Sequence, residues 1–108
     1  METTAMTTWI QECIRLPAYP RGFHLVTREI ERRIERLDEI KIGVANLFIL
    51  HTSASLTLNE NADPTVRGDF ERHFNVMIPE GATYYRHTYE GADDMPAHLK
   101  ASVLGASL

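Results

Sequence analysis

The sequence predicts an α+β fold, and three observations carry that prediction. Ile42–Leu50 is an almost unbroken apolar run, of a length that suits a strand covered on both faces. Shorter β-compatible stretches lie before and after it. Three other segments carry apolar residues at helical spacing, with polar residues around the rest of the turn. A chain of 108 residues, 44% hydrophobic and 24% charged, fits one domain with a buried core.

Taken in order, Met1 to Thr8 is small and polar and reads as a disordered leader, which leaves residues 9–108 as a single domain. Thr8 to Leu16 reads as a strand, with Ile10, Ile14 and Leu16 on one alternating face. Pro17 to Gly22 is a turn, and Phe23 to Val26 a short strand. A helix is expected from Thr27 to about Leu37, because Ile30, Ile34 and Leu37 repeat at helical spacing among charges of both signs. The central strand Ile42–Leu50 follows, then a short strand at Ser55 to Leu58. Asp63-Pro64 marks a helix start, with a capping carboxylate and a proline where a missing N–H costs nothing. Val66, Phe70, Phe74 and Met77 form its buried stripe, and Pro79 to Gly81 ends it. Tyr84 to Tyr89 is aromatic and extended. A last helix opens around Pro96, with Met95, Leu99 and Val103 on its apolar edge and Gly105 as its stop.

Formal net charge is −4 with histidine neutral, which argues against broad binding to nucleic acid or to an anionic membrane surface. No apolar run approaches the ~20 residues of a membrane span. Cys13 is the only cysteine, so no intrachain disulfide can form, which fits a reducing compartment such as the cytoplasm.

Polar residues gather at the ends of the apolar elements. His51-Thr52-Ser53-Ala54-Ser55 leaves the central strand, a place where α/β sheets commonly carry ligand groups. His51 suits metal binding or proton transfer. The same residues also suit a histidine that merely ends a strand before a hydroxyl-rich turn. Asn59 and Glu60 offer oxygen ligands, and Glu60 is a candidate general base. Asp63 is already engaged as a helix cap. Asp94 and His98 stand four residues apart and share a helical face, so the carboxylate can orient the imidazole. Helix-start carboxylates beside a surface histidine are the plain alternative. His87 lies in an aromatic run, and Lys100 can neutralise a phosphate.

Taken together, the runs PRGFHLVT from Pro20, LFILHTSASLTLNENADP from Leu47, VRGDFERHFN from Val66 and YYRHTYEGADDMPAHLKASVLGASL from Tyr84 resemble the YjbQ family, also labelled secondary thiamine-phosphate synthase. The resemblance implies a β-sheet core, mixed or antiparallel, flanked by helices and assembled as a homotrimer. It also implies a polar pocket for a divalent metal (Zn or Mg) or a small phosphorylated molecule. The matching polar positions are His51, Ser53, Asn59, Glu60, His87, Asp94, His98 and Lys100. On this reading His51 and His98 hold the metal. Ser53, Asn59 and His87 bind ligand, and Glu60, Asp94 and Lys100 serve as base, orienting carboxylate and anion-steering cation. The implied reaction joins a pyrimidine pyrophosphate to a thiazole phosphate. A noncatalytic, oligomeric metal- or anion-binding protein is the alternative. Family members continue into strands carrying a Gly-Thr-Trp-Gln and a Cys-Glu-His-Arg motif, so this chain is expected to lack that C-terminal segment.

Overall fold

The computed structural model describes residues 7–108. The expected leader therefore lies largely outside the described residues. The chain divides into two compact units, one of residues up to Pro20 with His24–Val44, the other of Arg21–Phe23 with Ala45–Leu108.

The first unit holds α1, Thr27–Arg33, and a 3-10 turn, Leu37–Glu39. Ile30 and Ile34 are half-buried as their spacing predicts, while the charged face stays in solvent. Glu29 pairs with Arg33 at 3.3 Å and with Arg32 at 3.7 Å, contacts worth a few tenths of a kcal/mol each, roughly. The helix ends before Leu37 because Ile34 takes an extended conformation and the chain then tightens into the 3-10 turn. The segment from Thr8 to Leu16, expected to be a strand, has no regular secondary structure and no β-pairing, though Ile10, Ile14 and Leu16 are half-buried.

The second unit is built on two helices, α2 (Thr65–Met77) and α3 (Asp94–Leu104). The start of α2 follows from Asp63, whose Oδ1 accepts the Thr65 backbone N–H at 2.9 Å and the Thr65 hydroxyl at 2.7 Å. Phe70 and Phe74 of its expected stripe pack on Phe23, whereas Met77, expected to be buried, is 49% exposed. Phe23 meets Phe70 edge-on at 5.4 Å and Phe74 at 5.6 Å, pairings that add about 1 kcal/mol each beyond the area they bury. Ile78, which closes α2, is 9% exposed. In α3, Pro96 is fully buried at the third helical position, where its missing N–H would have no partner in any case.

Gly105 terminates α3 at φ 99° and ψ 167°, a conformation open essentially to glycine alone. The chain then turns back along the apolar run. Leu47 and Leu108 exchange both backbone hydrogen bonds at 2.9 Å, and the Ile49 N–H donates to Ala106 at 2.8 Å. Phe48 thus faces Ser107 in an antiparallel bridge. Among the described residues this bridge is the extent of β-pairing. In such a pair Phe48 turns its own N–H and C=O away from residues 106–108. Phe48 and Leu50 are 66% and 76% exposed, so this outer edge is bare. Among the described residues, no helix is long and apolar enough to cross a membrane.

Candidate metal centre

The first turns of α3 set the site. Asp94 and His98, one helical turn apart, put their side chains together, with Asp94 Oδ2 3.1 Å from His98 Nε2. The irregular segment after Tyr85 brings in His87, whose Nε2 lies 2.7 Å from the same Oδ2. The two imidazoles stand nearly edge to face, 5.3 Å between centroids. Ligand atoms of His87, Asp94 and His98 all lie within 4.8 Å of one another. The site is open: the side chains of His87, His98 and Asp94 are 46%, 30% and 19% exposed.

A third contact decides the chemistry. His98 Nδ1 lies 2.9 Å from the Thr52 carbonyl oxygen, which can only accept, so Nδ1 carries a proton and donates. In a neutral imidazole Nε2 then bears a lone pair, and that lone pair faces a carboxylate oxygen. Two acceptors at 3.1 Å require something positive between them, either a second ring proton or a metal ion. A backbone carbonyl fixing the far nitrogen is the usual device for orienting a metal-binding histidine. The Asp94 carboxyl sits below its ordinary value of 3.8, first because His87 hydrogen-bonds to it, with His98 adding to the effect. It therefore stays ionised across the neutral range.

The remaining predicted residues are placed elsewhere. His51 lies outside this group of ligands, and its Nδ1 accepts the Ser53 backbone N–H at 3.1 Å. It reaches the site only through its neighbour Thr52. Asn59 turns its side-chain oxygen to the Glu60 N–H at 2.8 Å, and both residues are exposed. Lys100 follows His98 by two residues, hence about 200° around the helix. Its ammonium bonds the Asn75 side chain on α2. Burial and then the nearby Arg21 push the Lys100 pKa down, while Glu80 and Glu71 oppose the shift. Arg21 itself pairs with Glu80 and lies 3.9 Å from Glu71. Sequence reasoning missed the Thr52 carbonyl, a main-chain atom that leaves no mark on residue type. It paired His98 with His51 rather than with His87. His87 lies in an irregular segment before α3, so no helical or strand period links it to Asp94.

The family model described as UPF0047 protein YjbQ-like matches residues 12–108. The UPF0047 protein YjbQ of Salmonella typhimurium is 58% identical over 100 residues, which cover 93% of this chain and 72% of that protein. The Escherichia coli O157:H7 protein of the same name is 54% identical over the same shares of the two chains. Among solved structures, the conserved hypothetical protein TT1486 from Thermus thermophilus matches with a TM-score of 0.67 at 34% identity. That match covers 81% of this chain and 64% of TT1486.

Proposed function

The chain belongs to the YjbQ-like UPF0047 family, and from that premise we propose that it holds a divalent transition metal at His87, Asp94 and His98, with coordination positions left for a small ligand. The supporting observation is the His98 ring, pinned through Nδ1 to Thr52 so that Nε2, the nitrogen left for a second proton or a metal ion, confronts Asp94. Two imidazoles and one carboxylate suit zinc, whereas magnesium favours an all-oxygen shell. Zinc ligands at ~2.0–2.1 Å in tetrahedral array stand about 3.3 Å apart. The present contacts of 2.7 and 3.1 Å are shorter than that spacing, so zinc would need these side chains to move slightly apart.

Three protein ligands leave a position for water or for an anionic oxygen, as in catalytic zinc sites. Such a centre would stabilise a departing pyrophosphate, and the joining of a pyrimidine pyrophosphate to a thiazole phosphate is the reaction we propose to assay first. A second reading, metal held without turnover, is favoured by Lys100. That cation is committed to Asn75 on the far side of α3, away from the metal ligands. We also propose that the α+β architecture is completed by further strands at the bare Phe48–Leu50 edge, which trimer assembly would help to cover.

Cobalt(II) tests the centre directly. Added to metal-free protein, one equivalent should give visible d–d absorption with the intensity of a four- or five-coordinate nitrogen–oxygen site. His87→Ala and His98→Ala should each abolish that band while circular dichroism stays unchanged. A band that persists in both variants places the metal elsewhere and defeats the proposal.

A further inference from the structure

Residues 47–56 are tied at both ends to the tail that follows α3. Leu47 exchanges hydrogen bonds with Leu108, the Ile49 N–H donates to Ala106 at 2.8 Å, and the Leu56 N–H donates to Gly105 at 3.2 Å. Between these ties, among the described residues, a single hydrogen bond joins residues 50–55 to α3 or its tail. It runs from His98 Nδ1 to the Thr52 carbonyl oxygen.

The same ring faces Asp94, and its two contacts make incompatible demands. The Thr52 oxygen needs a proton on Nδ1, and the Asp94 oxygen at 3.1 Å needs one on Nε2. A neutral imidazole has one proton to give. Without a metal the carboxylate takes it, because a hydrogen bond to a charged acceptor is about twice as strong as a neutral one. Thr52 is exposed, so its carbonyl can turn to water, whereas the Asp94 side chain is only 19% exposed. His87 can satisfy Asp94 with its own Nε2–H at 2.7 Å, but that leaves a His98 lone pair against the same oxygen. A metal ion removes the conflict. It takes the Nε2 lone pair and the carboxylate together, and the ring proton passes to Nδ1 through solvent, so no proton is gained or lost.

Resting on the metal centre above, we propose that residues 50–55 form a strap that closes when metal binds at His98 and opens when it leaves. Occupancy selects the Nδ1–H tautomer, the one neutral form that can hold Thr52. The described positions of Thr52, His98 and Asp94 are those of the closed strap. His51 and Ser53 flank Thr52, so the strap carries the state of the metal to residues that are not among its ligands.

The isotope-labelled full chain is compared in EDTA and with zinc, at mildly alkaline pH. Long-range proton–nitrogen spectra should place the His98 proton on Nε2 in EDTA and on Nδ1 with zinc. Backbone order parameters of residues 52–55 should rise from below about 0.6 to about 0.85, while those of α2 stay unchanged. Asp94→Asn gives a second, metal-free test. Its amide can donate to the Nε2 lone pair, so the ring keeps its proton on Nδ1 and the strap should be closed in EDTA. The inference is overturned by a His98 proton on Nδ1 or on both nitrogens in metal-free wild type, or by a loose strap in Asp94→Asn. A cobalt band in a protein whose strap ignores the metal overturns it too, and leaves the metal centre standing. Wild type with no cobalt band defeats both.

Discussion

The proposed metal centre makes a prediction whose size can be worked out in advance. A ligand that binds only the folded state stabilises it by RT ln(1 + [L]/Kd), which is about 2.7 kcal/mol when zinc is present at 100 times Kd. For a chain of this length, 1 kcal/mol moves the melting temperature by about 5 °C, so zinc should raise it by roughly 13 °C. His98→Ala removes one of the three proposed ligand side chains, together with its anchor on Thr52. Loss of a partner that only orients a ligand already costs ~10–100-fold in affinity. Taking about 100-fold as the minimum for losing the ligand itself, the same zinc concentration now only equals Kd. The stabilisation falls to about 0.4 kcal/mol, or ~2 °C. The assay is thermal unfolding followed by circular dichroism, with and without zinc, on wild type, His87→Ala, His98→Ala and His73→Ala. His73, on α2 and outside the group, controls for adventitious binding. If His98→Ala and His87→Ala gain as much from zinc as wild type, the reasoning from the convergent ring nitrogens is wrong.

Further predictions follow from the same geometry. Asp63→Ala removes the acceptor at the start of α2 and should lower the melting temperature at neutral pH by roughly 5 °C. The Asp63 pKa is lowered from 3.8 by the Thr65 hydroxyl first and the Thr65 amide second. Its contribution is therefore present above that value and lost as pH falls through the folded-state value, so the gap between wild type and variant should close in acid melts below pH 3.8. Gly105→Ala forces a side chain into a conformation reserved for glycine and should cost about 1–3 kcal/mol in urea unfolding. No neighbouring atom blocks the added carbon, so backbone strain alone should account for the loss. Release of pyrophosphate from a pyrimidine pyrophosphate with a thiazole phosphate should depend on zinc and vanish in His98→Ala. Zinc-loaded protein with no turnover would leave the binding reading in place and remove the transferase.

What could be read from the residues alone was local. Asp63-Pro64 marks the beginning of α2 and Gly105 the end of α3, because capping and positive φ depend on one or two side chains. Asp94 and His98 meet because a helix places every fourth residue together. The β-pairing was far less legible. The almost unbroken apolar run Ile42–Leu50 suits extended structure but says nothing about which segment will lie beside it. The partner, residues 106–108, is some sixty positions away and follows a glycine turn. His87 presents the same difficulty, since its approach to Asp94 depends on the path of an irregular segment with no period. Lys100 illustrates the opposite case. Its distance from His98 along the helix already placed it on the other face, whatever its charge suggested.

The anchor of His98 belongs to the main chain, and this shapes how the protein can vary. Position 52 should accept many side chains in a saturation library, because each supplies the same oxygen in the same place. Position 53 should reject proline, which withdraws the amide proton that His51 accepts and alters the path of the peptide beside it. Selection here would act on the course of the backbone rather than on the identity of the residue whose oxygen makes the contact.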